Sequence, residues 1–266
     1  MGFAQYSSFK ALKAAMLLAC LAGSQAASAV ALLEASGASQ ADSVYGALAI
    51  APNDDGSSNL LDLGFDVNFF GTSFDQFYIN NNGNITFNAP VSGYTPTAFP
   101  VSNQPTIAPF WADVDTRCAE CGSVYVGAVN EQTTIVTWND VGFYPSDSSL
   151  TNNFQLVLRD QGAGDFDIEF RYDDLNWTTG SASGGAGGLG GTPAQAGFDA
   201  GDGENFFALP GSFTAEVLDL QNNTNVDGGD AGLWSFAIRE GATPGQTAEN
   251  PLLPVIVDDS FTFDFN

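Results

Sequence analysis

The side chains that could do chemistry in this sequence are almost all carboxylates. Histidine is absent, which removes the commonest general base and every Ser-His or Cys-His pairing. The only lysines, Lys10 and Lys13, lie near the N-terminus, so the rest of the chain has no amine for a Schiff base or a Ser-Lys dyad. Against this stand 31 Asp and Glu residues. Two kinds of chemistry remain. A pair of carboxylates could act on a glycosidic bond. Alternatively, carboxylate and amide oxygens could hold a hard cation.

Three segments have the oxygen spacing for a cation. Asp113-Val114-Asp115 puts two carboxylates on one side of a strand, or converging in a turn. Asn223-Thr224-Asn225-Val226-Asp227-Gly228 follows the first half of a calcium loop, with Asn223, Asn225 and Asp227 at alternate positions before a glycine. Its second half departs from that pattern, because Trp234 stands where a bidentate Glu belongs. Asp199-Ala200-Gly201-Asp202-Gly203 is a third acidic, glycine-rich loop. All three also read as Asx turns between strands, which need no ion. No organic cofactor is expected, and calcium is the ion such loops would take.

Cys118 and Cys121 form a C-x-x-C pair. A redox motif of this spacing needs a βαβ context, and a zinc site needs four ligands; the sequence offers neither. The pair is expected to be a disulfide that clips a turn.

These residues must be positioned by strands. Leu61, Leu63, Phe65, Val67 and Phe69 alternate with Asp62, Gly64, Asp66 and Asn68, the period of a half-buried strand. Phe77–Ile79 and Ile85–Phe87 flank Asn80-Asn81-Asn82-Gly83-Asn84, which predicts a hairpin. Pro90 to Pro109 predicts extended or looped chain. Further strands are expected at 124–126, 133–138, 154–158, 166–172, 196–198, 213–218 and 234–238. The run from Gly184 to Gly191 reads as a flexible surface loop, since a phosphate cradle would need a strand before it and a helix after it. No long stretch has a 3.6-residue period. The fold class predicted is all-β, an antiparallel β-sandwich-like domain with long loops.

The organisation expected is a signal peptide over 1–29, a lead-in segment over 30–59, a β domain over 60–240, and a linker with a C-terminal strand over 241–266. Lys10 and Lys13 precede the apolar run Ala14–Ala22, and Ala27-Ser28-Ala29 is a small-residue cleavage site. That run is too short to span a bilayer, so no transmembrane segment is expected in the mature chain. A weaker alternative acylates Cys20. Cleavage before Val30 leaves four arginines against 31 acids, a net charge of −27. Such a surface repels nucleic acid and anionic membrane and suits basic or cation-bridged partners.

Several segments then line up in order. They are Asn82–Phe87, Ala108-Pro109-Phe110-Trp111-Ala112-Asp113-Val114-Asp115-Thr116-Arg117, Val136–Val141, Asn153–Leu158, Asn176-Trp177, Ala196–Phe198 and Gly232–Phe236. The series resembles the NIDO domain, the extracellular domain of nidogen-type proteins, over about residues 60–240. The resemblance implies a secreted, non-catalytic domain for cell–matrix adhesion or for binding a matrix or biofilm. It implies as partner an extracellular matrix or cell-surface protein or glycan. The sequence lacks EGF-like cysteine modules, which makes it similar to a stand-alone, bacterial-type version. The alternative function is a secreted carbohydrate-active hydrolase using a carboxylate pair.

Overall fold

Alternating apolar and polar residues become two packed antiparallel sheets in the computed structural model, which describes residues 29–37 and 42–242. The expected signal segment up to residue 28, Cys20 within it, and the expected C-terminal strand around Phe261, Phe263 and Phe265 lie outside the described residues. Strand β1 (Ala47–Ile50) opens the fold. In β2 (Leu61–Phe69), Leu63, Val67 and Phe69 are buried while Asp62, Gly64 and Asp66 face solvent. Phe70 and Gly71 both take positive φ, 51° and 88°, in the two-residue turn whose twist suits a hairpin. Phe69 therefore pairs with Thr72 at the start of β3 (Thr72–Asn80). A second hairpin, turning through Asn81-Asn82-Gly83, leads into β4 (Asn84–Thr86).

Strands β5 (Thr106–Trp111) and β6 (Val114–Asp115) follow. Then β7 (Ser123–Asn130), β8 (Thr133–Phe143), β9 (Asp147–Gly162) and β10 (Asp165–Asp174) run as a meander. A small hairpin of β11 (Gly185–Ala186) and β12 (Leu189–Gly190) precedes β13 (Gln195–Asp199), β14 (Phe206–Ala208) and β15 (Leu233–Ile238). One sheet has the order β1-β7-β8-β9-β10-β15, with β6 also on β8. The other has the order β14-β13-β5-β4-β3-β2. Aromatic side chains from the two inner faces meet between them. Phe110 lies 5.4 Å from Phe154, Phe69 lies 6.2 Å from Phe166, and Phe198 lies 5.3 Å from Phe236, centroid to centroid. Offset and edge contacts of this kind add to the area they bury.

Four local expectations are refined. Residues 213–218 are not a strand. Thr214 caps a 3₁₀ segment, Ala215–Asn222, by accepting the Glu216 amide, and Val217 and Leu220, three apart, face the core. The proline-rich stretch ends in a true strand, with Pro109 placed where the β5–β13 register shifts, so its missing N–H breaks no ladder bond. The Gly184–Gly191 run lies at the surface as expected but is paired as a hairpin, whose Gly188 carbonyl accepts the Thr178 and Thr179 amides. Finally, the lead-in contributes structure of its own. β1 adds to the edge of the larger sheet, and residues 30–36 are tied to that sheet where Gln155 both accepts from Leu33 N and donates to Leu33 O.

Candidate metal centre

Asparagine and glycine make the β3–β4 turn favourable, but the turn does not face water. Asn80, Asn81, Asn82 and Asn84 are all at most 1% exposed. Buried amides need partners, and Asn80, Asn81 and Asn82 find them in neighbouring loops, while Asn84 Oδ1 accepts from Asn80 Nδ2. Asn81 Nδ2 donates to the carbonyls of Asp54 and Val114, and its own carbonyl accepts the Trp138 indole N–H at 3.0 Å. Asn82 Nδ2 donates to Asp55 Oδ1 at 2.9 Å, while Asn82 Oδ1 accepts from Val114 N. Asn80 Oδ1 accepts from Ser57 Oγ and from Val91 N. Gly83, at φ 82°, packs so closely on the Phe110 carbonyl that any Cβ there would collide with it. The turn thus clamps the 53–57 loop against the turn that follows β5.

Clamping these loops gathers acids. Carboxylate oxygens of Asp54, Asp55 and Asp113 lie within 4.8 Å of one another. Asp113 is 2% exposed, whereas Asp54 and Asp55 are half-buried on the solvent side. Gly180 forms the far wall, since a Cβ there would overlap Asp113 Oδ2. Two oxygens, Asp54 Oδ1 and Asp113 Oδ2, are buried and accept no hydrogen bond from the protein. Burial raises the Asp113 carboxyl to about 7, and the charges of Asp54, Asp55 and Asp115 add to this against a smaller opposing effect of the Ala182 amide. Burial also raises Asp54, as do Asp55 and Asp115, while Arg117 opposes the shift.

Arg117 does not reach all of them. It bridges Asp54 at 3.0 Å and Asp115 at 2.6 Å. Burial pushes the Asp115 carboxyl up, but the Arg117 side chain and amide and the Ser146 amide bring it below the usual range. Asp115 therefore has its hydrogen bonds within the fold, with Arg117 and Ser146. Cys118 and Cys121, in the next turn, are joined in a disulfide packed on Gly142 of β8.

The other candidate oxygens are spread elsewhere. Asn225 exchanges two hydrogen bonds with the backbone of Ser235, fastening its loop to β15. Asn223 donates to the Asp219 carbonyl, and Asp227 is exposed. Asp199 accepts from Gly201 N and Val101 N, and Asp202 from Glu204 N and Asn205 N. The Gly201 amide on Asp199 and the Glu204 amide on Asp202 are Asx-turn bonds of the kind the sequence also allowed, whereas the Val101 and Ser235 bonds tie distant segments together. Of the residues singled out in the sequence, only Asp113 sits in the three-carboxylate cluster. The small, polar lead-in has no period to mark Asp54 and Asp55. The Asp54-Asp55-Gly56 triplet, an acidic turn signal, was the one cue available.

The cluster's layout differs from that of a typical glycosidase pair. Such pairs flank a bond across a cleft and stand about 5–9.5 Å apart. Here the carboxylate oxygens crowd one another, and Asp113 is buried. A separate depression of about 680 Å³, lined by Asp62, Gly64, Phe65, Gly127, Glu131 and Gln132 among others, is an open surface groove beside the β2 bulge. No helix among the described residues is long and apolar enough to cross a membrane.

Comparison with known proteins agrees with the motif series. A family model described as nidogen-like domain matches residues 75–134 and 128–240. Alpha-tectorin of Mus musculus is 41% identical in an alignment 213 residues long that covers 70% of this chain and 10% of that protein. Nidogen of Drosophila melanogaster is 31% identical in an alignment of 224 residues that covers 74% of this chain and 16% of that protein. Dendrite extension defective protein 1 of Caenorhabditis elegans is 29% identical in an alignment of 207 residues that covers 68% of this chain and 16% of that protein. The chain thus spans between a tenth and a sixth of these relatives. All three are animal proteins and lend no support to the bacterial-type reading. No solved structure matches significantly.

Proposed function

The chain belongs to the nidogen-like domain family, and from that premise we propose that it is a non-catalytic extracellular domain that docks to a matrix component. The observation that carries this reading is the extent of the likeness to alpha-tectorin, 41% over 213 residues, which takes in most of the sandwich rather than one motif. Alpha-tectorin and nidogen are extracellular matrix proteins. The N-terminal signal pattern supplies a route out of the cell, and the mature protein would begin at Val30.

The chemistry of the surface narrows the partner. With −27 charges after cleavage, a basic matrix protein or a cation-bridged glycan is favoured, and affinity falls as salt rises. Recognition belongs to the loops at the ends of the sandwich, since the strands are committed to the core.

The test is solid-phase binding of the purified mature protein to a solubilised extracellular matrix, run beside a glycan-hydrolysis screen. Saturable, salt-sensitive binding with no hydrolysis is expected. Hydrolysis abolished by one Asp or Glu substitution, without matrix binding, would overturn the proposal in favour of the carbohydrate-active enzyme.

A further inference from the structure

We propose that Asp54, Asp55 and Asp113 form a site for a hard divalent cation, calcium, which ties the 53–57 loop to the turn after β5. This goes beyond the matrix-binding reading and stands or falls without it. The first argument is geometric. Ligands around calcium lie 2.3–2.6 Å from the ion, so oxygens on opposite sides of it are about 5 Å apart. The three carboxylates place their oxygens within 4.8 Å of one another.

The second argument is the unpartnered oxygens. A buried carboxylate oxygen without a donor is costly, and native proteins rarely leave one. Here there are two in one cluster, Asp54 Oδ1 and Asp113 Oδ2, and Asp113 is 2% exposed. The local cation, Arg117, is committed to Asp115 and to the other oxygen of Asp54. Asn82 holds Asp55 through Oδ1, which presets that side chain. Asp113 itself is in none of the ion pairs among the described residues, and its Oδ2 has no donor.

The donor set chooses the ion. All donors are oxygens, the chain has no histidine, and Cys118 and Cys121 are joined in a disulfide, so zinc and copper lack the N and S ligands they favour. Irregular loops suit the flexible coordination of calcium better than the strict octahedron of magnesium. The half-buried Asp54 and Asp55 leave a solvent side from which water can complete the shell.

Calcium is titrated into the chelator-stripped, exported protein by calorimetry, with thermal unfolding in parallel. One saturable site is expected, with Tm raised by about 5–10 °C at a hundredfold excess over the dissociation constant. Asp113→Asn should abolish both responses. In chelator it should melt no lower than the wild type, because an amide needs no counter-charge. Asp55→Asn should also abolish binding and remain folded, and the exposed Asp66→Asn should change nothing. Sodium chloride at matched ionic strength giving the same Tm rise would overturn the site. So would an undiminished calcium response in folded Asp113→Asn or Asp55→Asn. Magnesium giving the full response at the same concentration would overturn the choice of calcium.

Discussion

Asn81 illustrates what one buried amide does in this protein. Its Nδ2 serves the Asp54 and Val114 carbonyls, which belong to different loops, and its carbonyl serves Trp138. Asn81→Ala keeps the backbone bond to Trp138 but leaves two carbonyls unpaired. A loss of about 2–4 kcal/mol is expected in urea unfolding; a loss below about 0.5 kcal/mol would show that water replaces the amide. Tyr172 gives the clearest dependence on pH. It is fully buried, and its hydroxyl donates to the Pro109 carbonyl at 2.8 Å. Burial raises its pKa well above 10. The unfolded chain ionises this phenol near 10, whereas the folded chain does not. The stability it contributes is therefore complete below pH 10 and declines as pH rises beyond that. Tyr172→Phe should flatten the alkaline decline of stability, measured by denaturant unfolding between pH 9 and 11. An unchanged decline in the variant would refute the assignment.

At the scale of elements, glycines separate turns that need space from turns that need only conformation. Gly83 and Gly162 both have positive φ, 82° and 85°, but only Gly83 has a carbonyl where its Cβ would go. Gly162→Ala should cost about 1 kcal/mol from backbone strain alone. Gly83→Ala should cost more than about 3 kcal/mol, because the β3–β4 turn must also move off Phe110. Equal midpoints in urea for the two variants would contradict this. The same turn shows what the sequence could convey. Its hairpin was legible from Asn-Gly between two apolar runs, and β2 and β10 were legible from their alternation. Its burial was not legible, because asparagine-rich turns ordinarily face water and the partners here lie in distant loops. Asp54 and Asp55 were missed for the same reason: no local pattern reports a contact that the tertiary fold creates. Residues 213–218 misled because Phe213 and Val217 suit a strand, and the Thr214 cap that decides for a 3₁₀ turn is a weak local signal.

Across the whole molecule, every arginine is internally engaged. Arg117 bridges Asp54 and Asp115, Arg159 and Arg171 share Glu169, and Arg239 reaches Asp167. No cationic side chain among the described residues is without an acidic partner. This has a consequence for how long the protein survives. Trypsin-like proteases cut after Lys or Arg in chain that can be drawn out and extended, and exposed loop tips are where nicking concentrates. Among the described residues the chain offers them four sites. Arg159 and Arg171 lie inside long strands, Arg239 follows β15 directly, and Arg117 sits beside the disulfide turn. Cleavage must then wait for the fold to open, so its rate follows the population of the open form. Native protein incubated with trypsin should keep residues 42–242 in one fragment for hours and be digested promptly once urea passes the unfolding midpoint. Rapid cutting after Arg117 or Arg239 in the native state would refute this. A domain with few basic residues, each of them held by the fold, is thereby suited to resist trypsin-like proteases.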